Sequence, residues 1–184
     1  MRKVLIASLF VLAMSLSGFA QNSSKIDIFG GYSFVRVNAG NGAPGINNNG
    51  WESTATFNLN DRIGIAADFN GSYKSENGAD NKMYTYMFGP QINFGNDKAT
   101  PFVHALFGAA HDSVTANIQG VSTSASDNAL ATALGGGFDV KASDTISIRL
   151  GQFDYLMTRF GSQTQNNIRL SFGITFHPKF GRGL

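Results

Sequence analysis

Hydrophobic and polar residues alternate one by one through most of this chain. The clearest stretch is the last. Ile168, Leu170, Phe172, Ile174 and Phe176 fall on one face, with Asn167, Arg169, Ser171, Gly173 and Thr175 on the other. Trp51, Ala55, Phe57 and Leu59 alternate in the same way with Glu52, Thr54, Thr56 and Asn58, and Ile63, Ile65, Ala67 and Phe69 with Gly64, Ala66, Asp68 and Asn70. Tyr84, Tyr86, Phe88, Ile92 and Phe94 alternate with Thr85, Met87, Gly89, Gln91 and Asn93. A period of two predicts strands. Wound into helices, these segments would scatter apolar residues around the whole circumference.

Four further segments carry weaker versions of the pattern: Lys25 to Val37, Pro101 to His111, Asn128 to Val140 and Asp144 to Met157. In the last of these, Ile146, Ile148 and Leu150 share a face opposite Arg149, but Phe153 and Tyr155 have the other parity. A β-bulge between Leu150 and Phe153 would bring both aromatics back to the apolar face. The count is eight strands. Their connections alternate strictly between long and short. The long ones are 38–50, the polar loop around 74–81, the Ser/Thr/Asn-rich 112–127 and the stretch 158–165. The short ones are Asn60-Asp61, Gly95 to Thr100 and Lys141 to Ser143. Pro90 lies inside the fourth strand, where it removes a ladder donor, and predicts a bulge there.

One face of these strands is filled with Trp, Phe, Tyr, Ile and Leu, and the other is polar. A soluble lipocalin-like barrel or β-sandwich would have little room inside for so many large side chains, and its outer face would be rich in Lys and Glu. Glu52 and Glu76 are the only glutamates here. A bilayer accounts for both faces. In hydrocarbon every backbone polar group must be paired within the protein, so strands cross only as a closed barrel. The fold expected is all-β, an eight-stranded antiparallel transmembrane β-barrel, whose interior is just wide enough to be filled by side chains. Glu52, Asp68, Arg149 and Arg169 share the polar parity and are expected to form a structural lumenal network of paired charges. Tyr32, Trp51, Tyr73, Tyr84, Tyr86 and Tyr155 lie near strand ends or in aromatic runs, as interfacial girdles require.

The start of the chain belongs to another process. Arg2 and Lys3 precede an apolar run from Val4 to Leu16, and Gly18-Phe19-Ala20 supplies small residues for cleavage. Residues 1–20 therefore read as a secretory signal peptide cut after about Ala20, leaving 21–184 as the barrel domain, with strands over about 25–176 and a short tail at 177–184. Removing Arg2 and Lys3 takes the formal net charge from +2 to zero, 12 basic against 12 acidic residues. A neutral mature chain does not point to a nucleic-acid partner. It has no cysteine, hence no disulfide framework. Its three histidines are scattered, so no metal-ligand spacing and no cofactor motif is present. Gly135-Gly136-Gly137 is followed by no helix-forming segment and reads as close strand approach rather than a phosphate cradle.

The stretch Gly135 to Lys141, followed by Ile148-Arg149 and Asp154-Tyr155, resembles the bacterial outer-membrane β-barrel domain family, the eight-stranded group of OmpA, OmpX and the Ail/opacity-type proteins. The closing Ser171-Phe172-Gly173-Ile174-Thr175-Phe176 is similar to that family's C-terminal assembly signal, with Gly173, Ile174 and Phe176 as its residues. The resemblance implies a monomeric barrel in the outer membrane, surrounded by outer-membrane lipid. It also implies handling by periplasmic chaperones and the barrel assembly machinery during biogenesis. The chain departs from the family by running eight residues past Phe176. Roles in the family range over adhesion, envelope integrity and resistance to host defences, so the fold does not choose among them and the surface ligand stays unidentified.

Two other functions compete with a structural or surface-interaction role. Some eight-stranded barrels resemble lipid A-modifying hydrolases or acyltransferases, which need a Ser, a His and an acid in mutual reach. His111-Asp112-Ser113 holds all three types, but neighbours in an extended chain seldom face one another. His104 is expected inside the lumen and His177 at the end of the last strand, in the interfacial zone. A narrow pore is the second competitor. The reading adopted is a non-enzymatic barrel with its long loops facing outward.

Overall fold

The structure, a computed structural model, describes residues 25–38, 45–76, 79–95, 98–118, 121–160 and 163–178. The expected signal peptide and the end of the tail lie outside these residues. Eight strands follow one another: β1 (Ile26–Val37), β2 (Ile46–Asn58), β3 (Ile63–Glu76), β4 (Ala79–Asn93), β5 (Ala99–Ile118), β6 (Val121–Lys141), β7 (Ile146–Phe160) and β8 (Gln163–Phe176). Each pairs antiparallel with the next, and β8 closes on β1, so the sheet is a closed barrel. The closing seam runs from Ile28 opposite Phe176 to Arg36 opposite Ile168.

The connections at one end, the turn end, are short. Asn60 Oδ1 caps the β2–β3 turn by accepting from the backbone N–H groups of Arg62 (2.9 Å) and Ile63 (2.8 Å). The other end, the loop end, differs from the sequence expectation. Asn47 to Gly50 are strand residues of β2, because lumen and neighbours give their polar side chains partners: Arg36 donates to Asn47 and the Tyr32 hydroxyl to Asn49. Of the stretch 112–127, residues 112–118 and 121–127 are strand as well, continuing β5 and β6 in register up to Ile118 opposite Val121. Val114, Thr115 and Thr123 are β-branched, and neither Gly nor Pro interrupts 109–118, so the ladder continues through Ser/Thr-rich sequence.

Two irregularities were expected, and one is present. Between β7 and β8 the register shifts from Arg149–Gly173 to Gln152–Ser171, so Leu150 and Gly151 oppose a single residue and both face outward. That bulge returns Phe153 and Tyr155 to the outer face. Pro90 makes no bulge. The β4–β5 ladder omits Gly89 and Pro90 and resumes at Gln91–His104 in the same register. The missing donor costs rungs without displacing the strand, and Pro90 turns its ring outward.

The outside of the barrel is apolar. Phe57, Ile65, Phe88, Phe107, Leu134, Leu170, Phe172 and Ile174 are all about half exposed or more. Aromatic rings cluster along it: Phe88 and Phe107 lie 4.3 Å apart between centroids, and Tyr73 and Tyr84 5.9 Å apart and edge-on near the loop end. The Trp51 indole donates to the Tyr73 hydroxyl at 3.1 Å. An apolar belt capped by amphipathic rings matches a bilayer and its interface. Leu170 sits midway along β8, and Val114 lies beyond the belt on the β5–β6 hairpin. Leu170→Arg is therefore expected to lower stability by about 2–4 kcal/mol, and Val114→Arg by less than about 1 kcal/mol. Urea titration of the protein folded into liposomes measures both, and equal losses would show that the belt has been placed wrongly.

Candidate functional site

Parity sends every second side chain into the lumen, and the lumen is filled. At its centre Arg169, fully buried on β8, is surrounded by three carboxylates. Its Nη1 lies 2.7 Å from Asp68 on β3, its Nη2 2.7 Å from Asp154 on β7 and its Nε 3.4 Å from Glu52 on β2. The surplus negative charge is met by donors from every side. Thr54 donates to Asp68 at 3.1 Å, Gln152 to Glu52 at 2.7 Å and to Asp154 at 2.8 Å, and the Ser171 hydroxyl to Glu52. His104 Nε2 lies 2.7 Å from Asp154. Gly135 opposes Asp154 on the neighbouring strand, and a Cβ there would come within 2.0 Å of its carboxylate oxygen. Gly136 is constrained as well, since a Cβ there would meet the Phe102 backbone carbonyl on the other neighbouring strand.

Arg149 does not join that cluster. It is the centre of a second one toward the turn end. Its Nε and Nη2 reach the two oxygens of Asp139 at 2.8 and 3.0 Å, and its Nη1 donates to Gln152 at 2.6 Å. The guanidinium lies over the rings of Phe29 and Phe102, 4.0 and 4.3 Å from their centroids. Gln152 joins the two clusters. Of the four residues expected to act together, Glu52, Asp68 and Arg169 are thus in direct contact, and Arg149 is linked to them through Gln152. Asp139, Asp154 and Gln152 were not anticipated, whereas His104 lies in the lumen as expected, bonded to Asp154. Resetting the parity of β7 at its bulge would have placed Gln152 and Asp154 inside, so that signal was available.

Toward the loop end the charged network gives way to an apolar cluster of Val35, Met83, Met87, Leu106, Ala110 and Leu156. At the turn end the mouth is closed by a different set. His177, just past β8, places Nδ1 2.6 Å from Asp27 on β1 and Nε2 2.8 Å from Ser147 on β7, while Asn58 on β2 donates to Asp27 at 2.6 Å. The His177 backbone N–H also donates to the Thr145 carbonyl at 2.8 Å. By contrast, His111, Asp112 and Ser113 do not converge. His111 Nδ1 bonds Asn128 Oδ1, and Asp112 accepts from Asn81. The residues expected to form the assembly signal, Gly173, Ile174 and Phe176, lie on β8. Ile174 and Phe176 face outward, and Gly173 packs on the closing seam, where a Cβ would be 2.3 Å from the Gly30 carbonyl oxygen and 2.5 Å from the Gly31 Cα.

Removing one member of a buried charge cluster leaves its partners uncompensated, which costs about 3–5 kcal/mol, whereas an exposed pair contributes at most about 1 kcal/mol. Arg169→Ala should therefore shift the urea midpoint far more than Lys74→Ala, which breaks only the solvated Lys74–Glu76 pair of 3.4 Å. Similar midpoints for the two variants would remove Arg169 from the centre of the lumen.

Comparison with known proteins agrees with this geometry. Curated protein sequences yield no match. Among solved structures, the barrel is similar to Ail, the attachment invasion locus protein of Yersinia pestis, at 21% identity and a TM-score of 0.65 over 84% of this chain and 99% of that one. A second Ail structure, in complex with the heparin analogue sucrose octasulfate, gives 0.63 at 21% identity over the same shares of the two chains. Neisserial surface protein A matches at 10% identity and a TM-score of 0.64, over 86% of this chain and all of the other. At these identities the likeness is one of fold. The sequence profile described as the outer membrane protein beta-barrel domain covers residues 6–176. With a closed eight-stranded barrel, an apolar belt and a filled lumen, the chain belongs to the outer-membrane β-barrel domain family and resides in the outer membrane.

Proposed function

We propose that this protein is a non-enzymatic surface-interaction barrel whose β5–β6 hairpin is the contact element. One observation carries the reading. The β5–β6 ladder continues to Ile118–Val121, but the β6–β7 ladder ends at Leu130–Arg159. Residues 121–129 therefore extend β6 by roughly 25–30 Å, at about 3.3 Å per residue, past its last rung with β7. Thr123 to Asn128 are exposed, and among the described residues their outer edge has no ladder partner. Native proteins usually guard such edges with Lys or Pro. Here Asp127 is the sole charged residue between Asp112 and Asp139, and no proline lies between them. An open, nearly uncharged edge of small residues favours strand addition by an extended polypeptide. Polyanion binding of the kind seen for Ail is not favoured, since the loop end balances Arg36, Lys74, Lys82 and Arg159 against Glu76, Asp80, Asp112 and Asp127.

The competing readings fit less well. A pore would have to pass the apolar cluster and the two charge clusters, which fill the section of an eight-stranded barrel. A hydrolase would find Asp27, His177 and Ser147 linked in the order of a catalytic relay. Acyl transfer, however, also needs free N–H donors for the oxyanion. Ser147 lies within ladders on both sides, opposite Lys141 and Thr175, and is 6% exposed. We read the three residues as a latch that ties the ends of β1, β7 and β8. In the same proposal, residues 1–20 are the cleaved signal. Gly173, Ile174 and Phe176 are the assembly signal that the barrel assembly machinery reads after chaperone delivery.

Deleting residues 115–125 should leave heat-modifiable gel mobility intact and abolish adhesion of bacteria displaying the protein to cultured epithelial cells. Ser124→Lys with Ser126→Lys, which guards the edge without shortening it, should do the same. Full adhesion by both variants would refute the hairpin as contact element. For the enzyme question, a fluorophosphonate probe should leave the folded protein unlabelled. Labelling that disappears in Ser147→Ala would overturn the non-enzymatic reading.

A further inference from the structure

Strand geometry fixes which backbone groups the open edge of β6 presents. At the turn end the Lys141 N–H donates to the Lys98 carbonyl at 3.0 Å. From there the β5–β6 register holds without a shift from Ala99–Val140 to Ile118–Val121. Backbone groups alternate sides along an antiparallel strand, so the odd-numbered residues of β6 turn their N–H and C=O to β5. The even-numbered ones turn theirs the other way, to β7 from Leu130 toward the turn end and to the open edge from Asn128 toward the loop end. Asn128 shows this parity directly. Its N–H donates to the Asp127 carboxylate at 2.8 Å rather than to β5. Ser124 and Ser126 therefore present their backbone groups to the edge, and the Asp127 carboxylate is held where that edge begins.

The same parity assigns the side chains of an incoming strand. Added antiparallel to β6, it exchanges hydrogen bonds with Ser124 and Ser126. Its residues opposite Thr123, Ala125 and Asp127 then take the non-hydrogen-bonded positions, where Cα atoms approach to about 4.5 Å rather than about 5.5 Å and side chains touch most closely. Those three residues share the parity of Ala129, which is buried in the lumen, so the contacts lie on the face turned toward the barrel axis. Ala125 is small and exposed, and its β5 neighbour Val114 is 38% exposed. An apolar side chain opposite Ala125 covers both. Asp127 stands opposite Asp112 across the β5–β6 ladder. Like charges placed so destabilise each other, and a cation on the far side of Asp127 offsets the repulsion. An acidic strand would bring a third negative charge to the same row.

We infer that the edge takes an antiparallel strand of the pattern basic–polar–apolar–polar–apolar, with Lys or Arg opposite Asp127 and apolar side chains opposite Ala125 and Thr123. The inference rests on the reading of this edge as the contact element, and adds the partner's direction, register and charge. Such a strand takes up the place in the sheet that β7 leaves at Arg159, and runs in the direction of β7. Its outward side chains lie beside Ser124 and Ser126 and are polar.

The test is an NMR titration of the folded barrel in detergent micelles, following the backbone N–H signals of Ser124 and Ser126. Three peptides serve as probes: acetyl-Thr-Lys-Thr-Val-Thr-Val-Thr-amide, its analogue with Glu in place of Lys, and its analogue with Ser in place of both Val. Saturable shifts are expected with the first, and an affinity about tenfold lower with each of the others. Asp127→Lys should reverse the order of the Lys and Glu peptides. Ser126→Pro deletes an edge donor that points away from β5, so it should abolish binding while gel mobility stays heat-modifiable. Wild-type affinity in Ser126→Pro, or an unchanged order in Asp127→Lys, would overturn the inference. Equal affinity for all three peptides would overturn the assigned chemistry and leave strand addition standing. No saturable shift with any of them would overturn both the inference and the reading on which it rests.

Discussion

The structure depends on one constraint: a backbone N–H or C=O that meets hydrocarbon must already be bonded to the protein. A sheet can meet it only by closing, and closure is what β8 and β1 accomplish from Ile28–Phe176 to Arg36–Ile168. The demand explains why irregularities are so restrained. Pro90 deletes a donor, and the ladder skips two residues and resumes in register, because a shift there would displace every later rung of β4. The bulge at Leu150 and Gly151 is tolerated because it sits opposite β8 near the turn end and swaps the parity of one strand only beyond that point. Glycine serves closure as well. Gly173 lets β8 approach the carbonyl of Gly30 at the seam, where a side chain would hold the strands apart.

Closure at eight strands then decides the interior. The outer face must be apolar, so the polar half of each alternating pair is forced inward, away from water. Buried charges there cannot be solvated and must be satisfied by one another. Four carboxylates, Glu52, Asp68, Asp139 and Asp154, face two guanidiniums, Arg149 and Arg169, among the described lumenal residues. Hydrogen bonds from Ser171, Gln152, Thr54, Thr175 and His104 occupy the remaining lone pairs. Such a network adds little net stability over a well-packed apolar core. Its value lies in register, since sliding any one of β2, β3, β7 or β8 by a residue would turn a charge toward lipid.

This logic was legible in the sequence to the extent that it is periodic. The strict alternation in β2, β3, β4 and β8 assigned strands, faces and the lumenal placement of Glu52, Asp68 and Arg169 by counting alone. The misplaced parity of Phe153 and Tyr155 located the bulge. What escaped was whatever tertiary contacts decide. Phe29 and Phe102 are large aromatics on the inner face, packed beneath Arg149, and an apolar side chain by itself does not announce which face it takes. Asn47 to Gly50 and the Ser/Thr-rich segments 112–118 and 121–127 read as loops by composition, yet cross-strand partners make them strands. His177 sits beyond the last periodic residue, so no pattern could pair it with Asp27, 150 positions away in sequence.

The loop end is where the constraint lapses. Above the belt, water can satisfy a backbone group, so β6 may run on with one edge unpaired at no hydrocarbon cost. Two neighbouring copies with the same end outward hold their strands in the same direction, so their edges could meet only as a parallel pair, which is slightly less stable per residue than an antiparallel one. An incoming extended chain is free to run antiparallel, and the edge suits it better than it suits a neighbouring barrel. The edge stays open to a strand arriving from outside the cell. The bilayer that forces the rest of the sheet to close is thus also what allows this part of it to remain open.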